Sequence, residues 1–466
     1  MKKIKSRWMA FGIFFMCITF PAYAGELSPG LSEKLQHTHH KEHIAVIVRM
    51  VDQAKLKTST HDITEKNKAL RSRKVIRALK ATAINGQKDL IGFLEKEKAS
   101  GNVLDHTPFW IFNGFSLKAT PEIIKELSSR NDVETITEDF PISPPVSFTS
   151  TPVQSDSLYT WNIERVRAPQ VWNMGYSGSG VVVGIFDTGV DVTHPDLAEK
   201  YRGGNNSWYD PHEEHTVPVD TAGSFTGHGT HVAGIILGGD SSGKYIGVAP
   251  EAKWITARIW NDAGEEASSK EVHEIFQWFM DPDRDPETDD APDVVNCSWG
   301  FKLLDTFPWC LPDFQDDIEA WRMAGIIPVF SAGNSGPRLF TGESPGNYPE
   351  TIAVGATDYL DNIAFFSSRG PGNCNLSIFP DISAPGVAIY SSTLDEKHRT
   401  LSGTSAAVPH VVGTIALMLD ANPNLSIEAI ESILRATAKP LGYFYPNFTY
   451  GWGQVDALVA VNAVMP

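Results

Sequence analysis

The sequence predicts an α/β protein, a parallel central sheet flanked by helices, with a small α+β unit ahead of it. Three observations predict this. From about residue 157 onward, short Val/Ile runs alternate with helical stretches, the pattern of strands buried on both faces of a parallel sheet. Between residues 43 and 139, strand and helix patterns alternate as strand, helix, strand, helix, strand. Charge changes sign between the two regions: residues 1–150 carry 22 Lys and Arg against 16 Asp and Glu, and residues 151–466 carry 17 against 40. A chain of 466 residues exceeds one small domain, and 42% hydrophobic with 20% charged residues suits a globular protein with a large core.

Lys2, Lys3, Lys5 and Arg7 precede an apolar run over residues 8–20, and Ala22-Tyr23-Ala24 offers the small-x-small pattern of an export-signal cleavage site. That run is shorter than the ~20 apolar residues that span a bilayer. Residues 1–24 are therefore read as a signal peptide, and the rest as secreted, extracellular or periplasmic. No lipid anchor, no second apolar run long enough to cross a membrane and no wall-sorting segment are expected. Residues 25–40 are polar and His-rich (His37, His39, His40) and read as a flexible lead.

The compact unit starts with the strand pattern His43-Ile-Ala-Val-Ile-Val-Arg-Met50. Residues 64–98, rich in Lys, Arg, Glu, Leu and Ala, read as helix. Trp110-Ile-Phe-Asn-Gly-Phe-Ser-Leu117 reads as a strand with a Gly break. Thr120 and Pro121 open a further helix, and residues 133–139 close the unit as a strand. The stretch from Pro141 to Pro152 has four prolines and no charge, and reads as an exposed linker of the kind proteases nick. It divides the chain into residues 25–150, with a core of about 43–140, and a larger domain over 151–466.

In the larger domain Val181-Val-Val-Gly-Ile-Phe186, Trp254-Ile-Thr-Ala-Arg-Ile259, Val294-Val-Asn296, Ile327-Pro-Val-Phe330 and Ile352-Ala-Val-Gly355 are the expected buried strands. Residues 281–293 hold seven acidic side chains and read as a surface loop. So acidic a domain repels nucleic acid and anionic lipid, so neither nucleic acid nor a membrane is an expected partner. Beyond the leader three cysteines remain, Cys297, Cys310 and Cys374, which allow at most one disulfide. A Cys310–Cys374 bridge is favoured, with Cys297 a buried thiol.

Three segments carry chemistry. Ile185-Phe-Asp-Thr-Gly-Val-Asp191 brings a carboxylate, Asp187, to the C-terminal end of a buried strand. Gly227-His-Gly-Thr-His-Val-Ala-Gly234 sets His228 between glycines at a helix start, and Leu401-Ser-Gly-Thr-Ser-Ala-Ala-Val-Pro-His410 leads Ser405 into an apolar helix. A serine hydroxyl needs a base to take its proton, and the base needs a carboxylate to fix its tautomer and stabilise the imidazolium. In an open parallel sheet such residues gather at the carboxyl ends of the strands.

The order Asp, His, Ser and all three surrounding motifs resemble the subtilisin superfamily of serine peptidases. The likeness runs from Trp161 to Tyr450-Gly-Trp-Gly-Gln-Val-Asp456. Trp161-Asn-Ile-Glu-Arg-Val166, Ala291-Pro-Asp-Val-Val-Asn296 and Ser298-Trp-Gly300 resemble its bacillopeptidase F branch. The resemblance implies Ser405 as nucleophile, His228 as base and Asp187 as carboxylate. In Ser331-Ala-Gly-Asn-Ser-Gly336 it implies Asn334 as the side-chain donor of an oxyanion hole, joined by the Ser405 backbone N–H. Ser298, Trp299 and Gly300 would form one wall of the substrate cleft, with Ala332 and Gly333 opposite. Trp299 would crowd the pocket mouth or belong to the core.

Two positions depart from the family. In Glu343-Ser-Pro-Gly-Asn-Tyr-Pro349 the family often has Gly where Glu343 stands, which puts a carboxylate at the pocket base and favours a basic residue before the cut. Ala406 stands where the family usually has an oxidisable Met. His231, His194 and His410 match family positions that are structural. The alternating acids of 281–289 mimic a calcium loop, but Pro286 occupies the position an EF-hand gives to Gly. No metal ligand is assigned, structural calcium is expected without a location, and no cofactor is required for the chemistry.

The strand, helix, strand, helix, strand pattern of residues 43–139 resembles the propeptide of that superfamily, which implies that residues 25–150 are a ferredoxin-like intramolecular inhibitor and folding template, and this suits a slow-folding parallel sheet. The expected product is a monomeric, secreted serine endopeptidase acting on proteins or peptides, made as a self-processed zymogen cut between about 141 and 156. Two other readings stay open: a catalytically inactive binding protein of the same fold, and an exopeptidase.

Overall fold

The structure, a computed structural model, describes residues 25–55, 68–153, 156–302 and 310–465. The leader, residues 1–24, lies outside the described residues. The N-terminal unit runs β1 (Glu26–Leu27), α1 (Pro29–His37), β2 (Ile44–Met50), α2 (Lys68–Ala99), β3 (Val103–Phe109), β4 (Gly114–Ala119), α3 (Pro121–Ser128) and β5 (Val133–Glu138). Its sheet has the order β1-β5-β2-β4-β3, with β2 antiparallel to both β4 and β5. From β2 to β5 this is a ferredoxin-like β-α-β-β-α-β run, with β3 one strand more than the sequence pattern showed. Val46, Val48, Leu90, Leu94, Phe115, Ile124 and Leu127 fill its core.

Two local expectations are corrected here. Residues 25–40 are not a loose lead: Ser28 caps α1 by accepting from the Leu31 N–H, Leu31 and Leu35 are buried, and β1 pairs in parallel with β5. The polar and His-rich composition reflects one exposed face of a short helix. The strand expected over 110–117 is instead the turn and second arm of the β3–β4 hairpin, and Ile111 and Phe112 pack against the larger domain. Residues 64–67 of the expected helix fall outside the described residues.

The strands β6 (Pro141–Ile142) and β7 (Phe148–Thr149) follow. Next come α4 (Trp161–Arg165), α5 (Ala168–Trp172), β8 (Val182–Asp187), β9 (Trp208–Tyr209), α6 (His228–Leu237), β10 (Lys253–Arg258), β11 (Ala267–Ser268), α7 (Ser269–Met280), β12 (Val294–Cys297) and α8 (Gln315–Ala324). The chain closes with β13 (Ile327–Ser331), β14 (Ile352–Thr357), β15 (Ile382–Pro385), β16 (Ile389–Thr393), β17 (Lys397–Ser402), α9 (Thr404–Ala421), α10 (Ile427–Thr437) and α11 (Ala457–Val464). The central sheet has seven strands in the order β15-β14-β13-β12-β8-β10-β9, all parallel.

Alternation along β8 shows why its strands read as continuous apolar runs. Val183 and Ile185 point to the layer of α6, α9 and α11, where Val232, Ile236, Val411 and Ile415 meet them. Phe186 points to the opposite layer, against Phe276 and Phe279 of α7 and Trp321 of α8. Both faces are covered, so neither tolerates a polar alternate. Helix α9 is long and apolar enough by composition to cross a membrane, which amends the expectation of no second such run, but 89% of it is buried in this core.

Cys310 and Cys374 form the favoured disulfide, with Cα atoms 4.9 Å apart, and Cys297 is free and buried. The stretch expected as an exposed linker is exposed at residues 141, 143, 146, 148, 149, 151 and 152, but it is also pinned: β6 pairs antiparallel with β11, β7 pairs antiparallel with β17, and Ile142 and Pro144 are buried. The acidic 281–293 loop is at the surface as expected over 284–289, and α2 packs against its ends and side. Lys68 pairs with Asp293 at 2.6 Å, Arg73 with Glu287 at 3.1 Å and Lys80 with Asp281, all from α2.

Candidate active site

Asp187 is the last residue of β8 and His228 the first of α6, so strand and helix deliver them to the same end of the sheet. His228 Nδ1–H donates to Asp187 Oδ1 at 2.6 Å, and both residues are buried. A carboxylate only accepts, so this bond places the imidazole proton on Nδ1 and leaves Nε2 free to act as base. The Thr188 N–H donates to the same Oδ1 at 2.8 Å, while Asp187 Oδ2 is buried without a hydrogen-bond partner.

Asp220 holds these two loops together, and no sequence motif marked it. Its Oδ1 accepts from Thr188 Oγ1 (2.7 Å) and the Gly227 N–H (2.9 Å); its Oδ2 accepts from the Thr230 N–H (2.7 Å) and Oγ1 (2.5 Å). The flanks of Asp187 and His228 thus hang on one carboxylate. The signal in the sequence is a lone Asp eight residues before a His, which carries meaning only after folding.

Ser405 stands in the first turn of α9, where backbone N–H groups have no intrahelical partner. Ser298 Oγ donates to the Ser405 carbonyl at 2.8 Å and itself accepts from Asn296 Nδ2 at 2.8 Å, which ties the end of β12 to the helix start. No hydrogen bond joins His228 to Ser405 among the described residues; the Ser405 hydroxyl faces Ser147 Oγ at 3.4 Å. Serine–base bonds often tighten only once substrate is seated.

The orientation of Asn334 follows from its neighbours. Its Oδ1 accepts from the Thr404 N–H (2.9 Å) and Thr404 Oγ1 (3.0 Å), which leaves its amide N–H groups to face the cleft. There Asn334 Nδ2 donates to the carbonyl of Val146 at 3.2 Å. The 141–149 segment therefore crosses the cleft with one carbonyl on Asn334 and the next residue beside Ser405. Its flanks are gripped by β11 on one side and β17 on the other.

Of the residues expected at the pocket, Gly300 and Gly333 lie against Glu343, and the Glu343 N–H donates to the Ala332 carbonyl at 3.2 Å. A Cβ at Gly300 would stand 3.2 Å from the Glu343 Cβ, and one at Gly333 (φ +103°) 2.6 Å from its carboxyl carbon. Glu343 Oε1 accepts from Ser335 Oγ at 2.7 Å, and Lys302 Nζ donates to the same Ser335 oxygen at 2.7 Å. Burial pushes the Glu343 carboxyl up from its ordinary value, against the pull of the Ser335 bond and the Lys302 charge. Trp299 takes the second of the two places expected for it, the core and not the pocket mouth. Its indole is 1% exposed and packs among Phe186, Phe276, Phe314 and Phe330.

The chain matches the model of the Subtilase family over residues 178–453. The chain belongs to the subtilase family. It is similar to bacillopeptidase F of Bacillus subtilis (strain 168), with 36% identity over 423 residues, 84% of this chain and 28% of that protein. It is also similar to subtilisin BL of Lederbergia lenta, with 35% identity over 302 residues, 65% of this chain and 98% of that one. The subtilisin-like protease PopC of Myxococcus xanthus (strain DK1622) is 33% identical over 286 residues, 59% of this chain and 58% of PopC. The chain is thus a subtilisin-like serine peptidase that spans little more than a quarter of bacillopeptidase F and nearly all of subtilisin BL.

His194, His231 and His410 are held in structural surroundings. His231 and His410 are buried, and burial holds both down at about 3, so each stays neutral. His410 Nδ1–H donates to the Ala406 carbonyl at 3.0 Å, and Asn162 Nδ2 donates to its Nε2 at 2.8 Å. His194 accepts the Asp196 N–H on Nδ1 (3.2 Å) and donates from Nε2 to the Lys397 carbonyl (3.0 Å). Its cluster with Asp196 and His398 has no free ligand on this histidine, and in a second cluster Glu214 and Asp262 are bound to Arg258.

Proposed function

We propose that this subtilase is a secreted serine endopeptidase made as a self-processing precursor, with residues 25–146 as the inhibitory unit. One observation carries the reading: the Val146 carbonyl accepts from Asn334 Nδ2 while Ser147 lies beside Ser405, so the chain's own segment lies in the cleft as a substrate would. Residues 1–24 support export, and the protein is read as a monomer that needs no cofactor for the reaction.

In this mechanism Ser405 Oγ attacks the carbonyl carbon of the bound peptide, and its proton passes to His228 Nε2. Asp187 holds the imidazole by the Nδ1–H bond and stabilises the imidazolium that forms. Asn334 Nδ2 and the Ser405 N–H donate to the developing oxyanion, roughly 3–4 kcal/mol for such a side-chain donor. The C–N bond breaks as the proton moves to the leaving amine, and water then cleaves the acyl ester. Applied to its own chain, the machinery cuts between Val146 and Ser147. N-terminal sequencing of the processed protein should read Ser147-Phe-Thr-Ser, and Ser405→Ala should remain uncut and take no fluorophosphonate label. A wild-type protein that also refuses the label is the inactive binding protein instead. Cleavage of end-blocked peptides separates an endopeptidase from an exopeptidase.

Glu343, at the base of the two walls, supports a preference for Arg or Lys before the cut in other substrates. Matched peptides differing only there should favour Arg over Phe, and Glu343→Gln should remove that preference; equal rates in the parent protein refute it.

A further inference from the structure

The turn that carries Glu343 is held by two neighbouring loops, and the Cys310–Cys374 disulfide joins those loops. Ser344 is 1% exposed and is gripped through both its backbone and its side chain. Its N–H donates to the Phe301 carbonyl at 3.1 Å and its carbonyl accepts from the Phe301 N–H at 2.8 Å, one residue past Gly300. Its Oγ accepts from the Leu311 N–H at 3.2 Å, one residue past Cys310, and donates to Asn347 Oδ1 at 2.9 Å. The Asn347 N–H closes the turn on the Glu343 carbonyl at 3.0 Å, and Tyr348 Oη donates to the Leu311 carbonyl. The other loop reaches the same turn: Asn373 Nδ2 donates to the Gly342 carbonyl at 3.4 Å, and Cys374 Sγ lies 3.5 Å from Asn347 Oδ1. The disulfide joins cysteines 64 residues apart in sequence and closes both loops around this turn.

Little apolar burial fixes the turn itself. Glu343-Ser-Pro-Gly-Asn347 holds no large apolar side chain, so its place depends on those hydrogen bonds and on the loops that make them. We propose that the Cys310–Cys374 disulfide is a positioning element of the substrate pocket: it keeps the Glu343 turn against Gly300 and Gly333, and peptide cleavage depends on its oxidation. Both cysteines are half-buried, so small thiols and disulfides can exchange with them. The bond forms as the two thiols pass two electrons and two protons to an external disulfide, which leaves as two thiols. Asp187, His228 and Ser405 do not lean on this bridge; Asp220 and Ser298 tie their surroundings. A reduced chain therefore keeps its nucleophile and base but seats the residue before the cut poorly. A misplacement of about 1 Å is enough to cost roughly 100-fold in rate. That this turn is the pocket base rests on the reading above; the clamp on the turn does not.

The test reduces the folded wild-type protein with dithiothreitol, which gives two electrons and two protons to Cys310 and Cys374 and closes to its own cyclic disulfide. Two readouts are compared. One is cleavage of an end-blocked peptide with a large side chain before the cut. The other is labelling by a small dialkyl fluorophosphate, which uses Ser405 and His228 but puts no such side chain in the pocket. Once thiol titration shows the bridge open, peptide kcat/KM should fall at least about tenfold, mainly through KM, with the labelling rate changed less than about threefold. Reoxidation with glutathione disulfide should restore the peptide rate. Cys310→Ser with Cys374→Ser should match the reduced protein and ignore dithiothreitol; where that variant folds poorly, the reduced wild type gives the reading alone. Peptide cleavage unchanged with the bridge open, or cleavage and labelling falling together, overturns the proposal. Equal rates for Arg and Phe peptides in the oxidised protein, with the split between cleavage and labelling intact, would instead sink the preference for basic residues and leave the clamp standing.

Discussion

Asp220 shows how much of the proposed catalytic geometry rests on a residue that no sequence motif marks. Four donors from the flanks of Asp187 and His228 converge on its carboxylate. Burial pushes its pKa up, and those four bonds pull against it. Removing the carboxylate strands four buried donors, each an unsatisfied group that costs roughly 1–3 kcal/mol. Asp220→Ala should therefore destabilise the protein by about 3 kcal/mol or more in denaturant titration. Enough should remain folded to show kcat falling more than KM rises; a fall in stability with unchanged kcat would mean that Asp220 only supports the fold. A second residue-scale expectation concerns Ala406, which is 2% exposed and packs with Ile235 and Ile389. Having no thioether next to Ser405, the protein should keep its activity in dilute peroxide, and Ala406→Met should shorten the half-life several-fold. Equal half-lives would place the oxidation-sensitive group elsewhere.

At the scale of elements, α7 carries a titration that the fold pays for. Burial pushes the Glu274 carboxyl up to about 7, against the opposing pull of Lys270, four residues before it at 3.7 Å. Between the ordinary carboxylate value and about 7 the folded protein holds a proton that the unfolded chain has released. Stability contributed by the protonated form is therefore full below the ordinary value and lost as pH rises toward 7, by about 3 kcal/mol at most. Glu274→Gln should flatten the stability difference between pH 5 and pH 8; the same slope in both proteins would rule Glu274 out as its source. The elements themselves were legible to different degrees. β8, β10, β12, β13 and β14 declare themselves because both faces are covered and their residues stay apolar throughout. β9, two residues long, and β15, which ends in Pro385, are too short to show a period. Helix α1 was hidden because Leu31 and Leu35 are its only fully buried side chains, among polar neighbours. The site motifs around Asp187, His228 and Ser405 are local strings and could be read directly. Asp220 and the turn of Trp299 into the core depend on contacts between distant segments, which no local string encodes.

At the scale of the whole molecule, an N-terminal unit of nearly balanced charge, 18 Lys and Arg against 16 Asp and Glu over residues 25–150, sits on an acidic domain. Its grip combines ion pairs from α2 with an apolar seam in which Phe109, Ile111, Phe112 and Phe140 join the cluster around Phe276 and Phe314. The continuous segment from β5 through β6 to β7 then fixes where the cleft meets the chain, because β6 and β7 are pinned by β11 and β17 on either side of Val146. Under the proposed self-processing, such anchoring makes the cut an event within one molecule: the carbonyl is already held on Asn334, and no encounter is needed. The rate of first appearance of a Ser147 N-terminus should therefore be first order and unchanged over a hundredfold dilution. An equimolar mixture with Ser405→Ala should leave the variant uncut during that first phase, since its own cleft is filled by its own chain. Rates that rise in proportion to concentration, or early cutting of the variant, would mean that another copy does the cutting and that the seated segment is a block rather than a substrate.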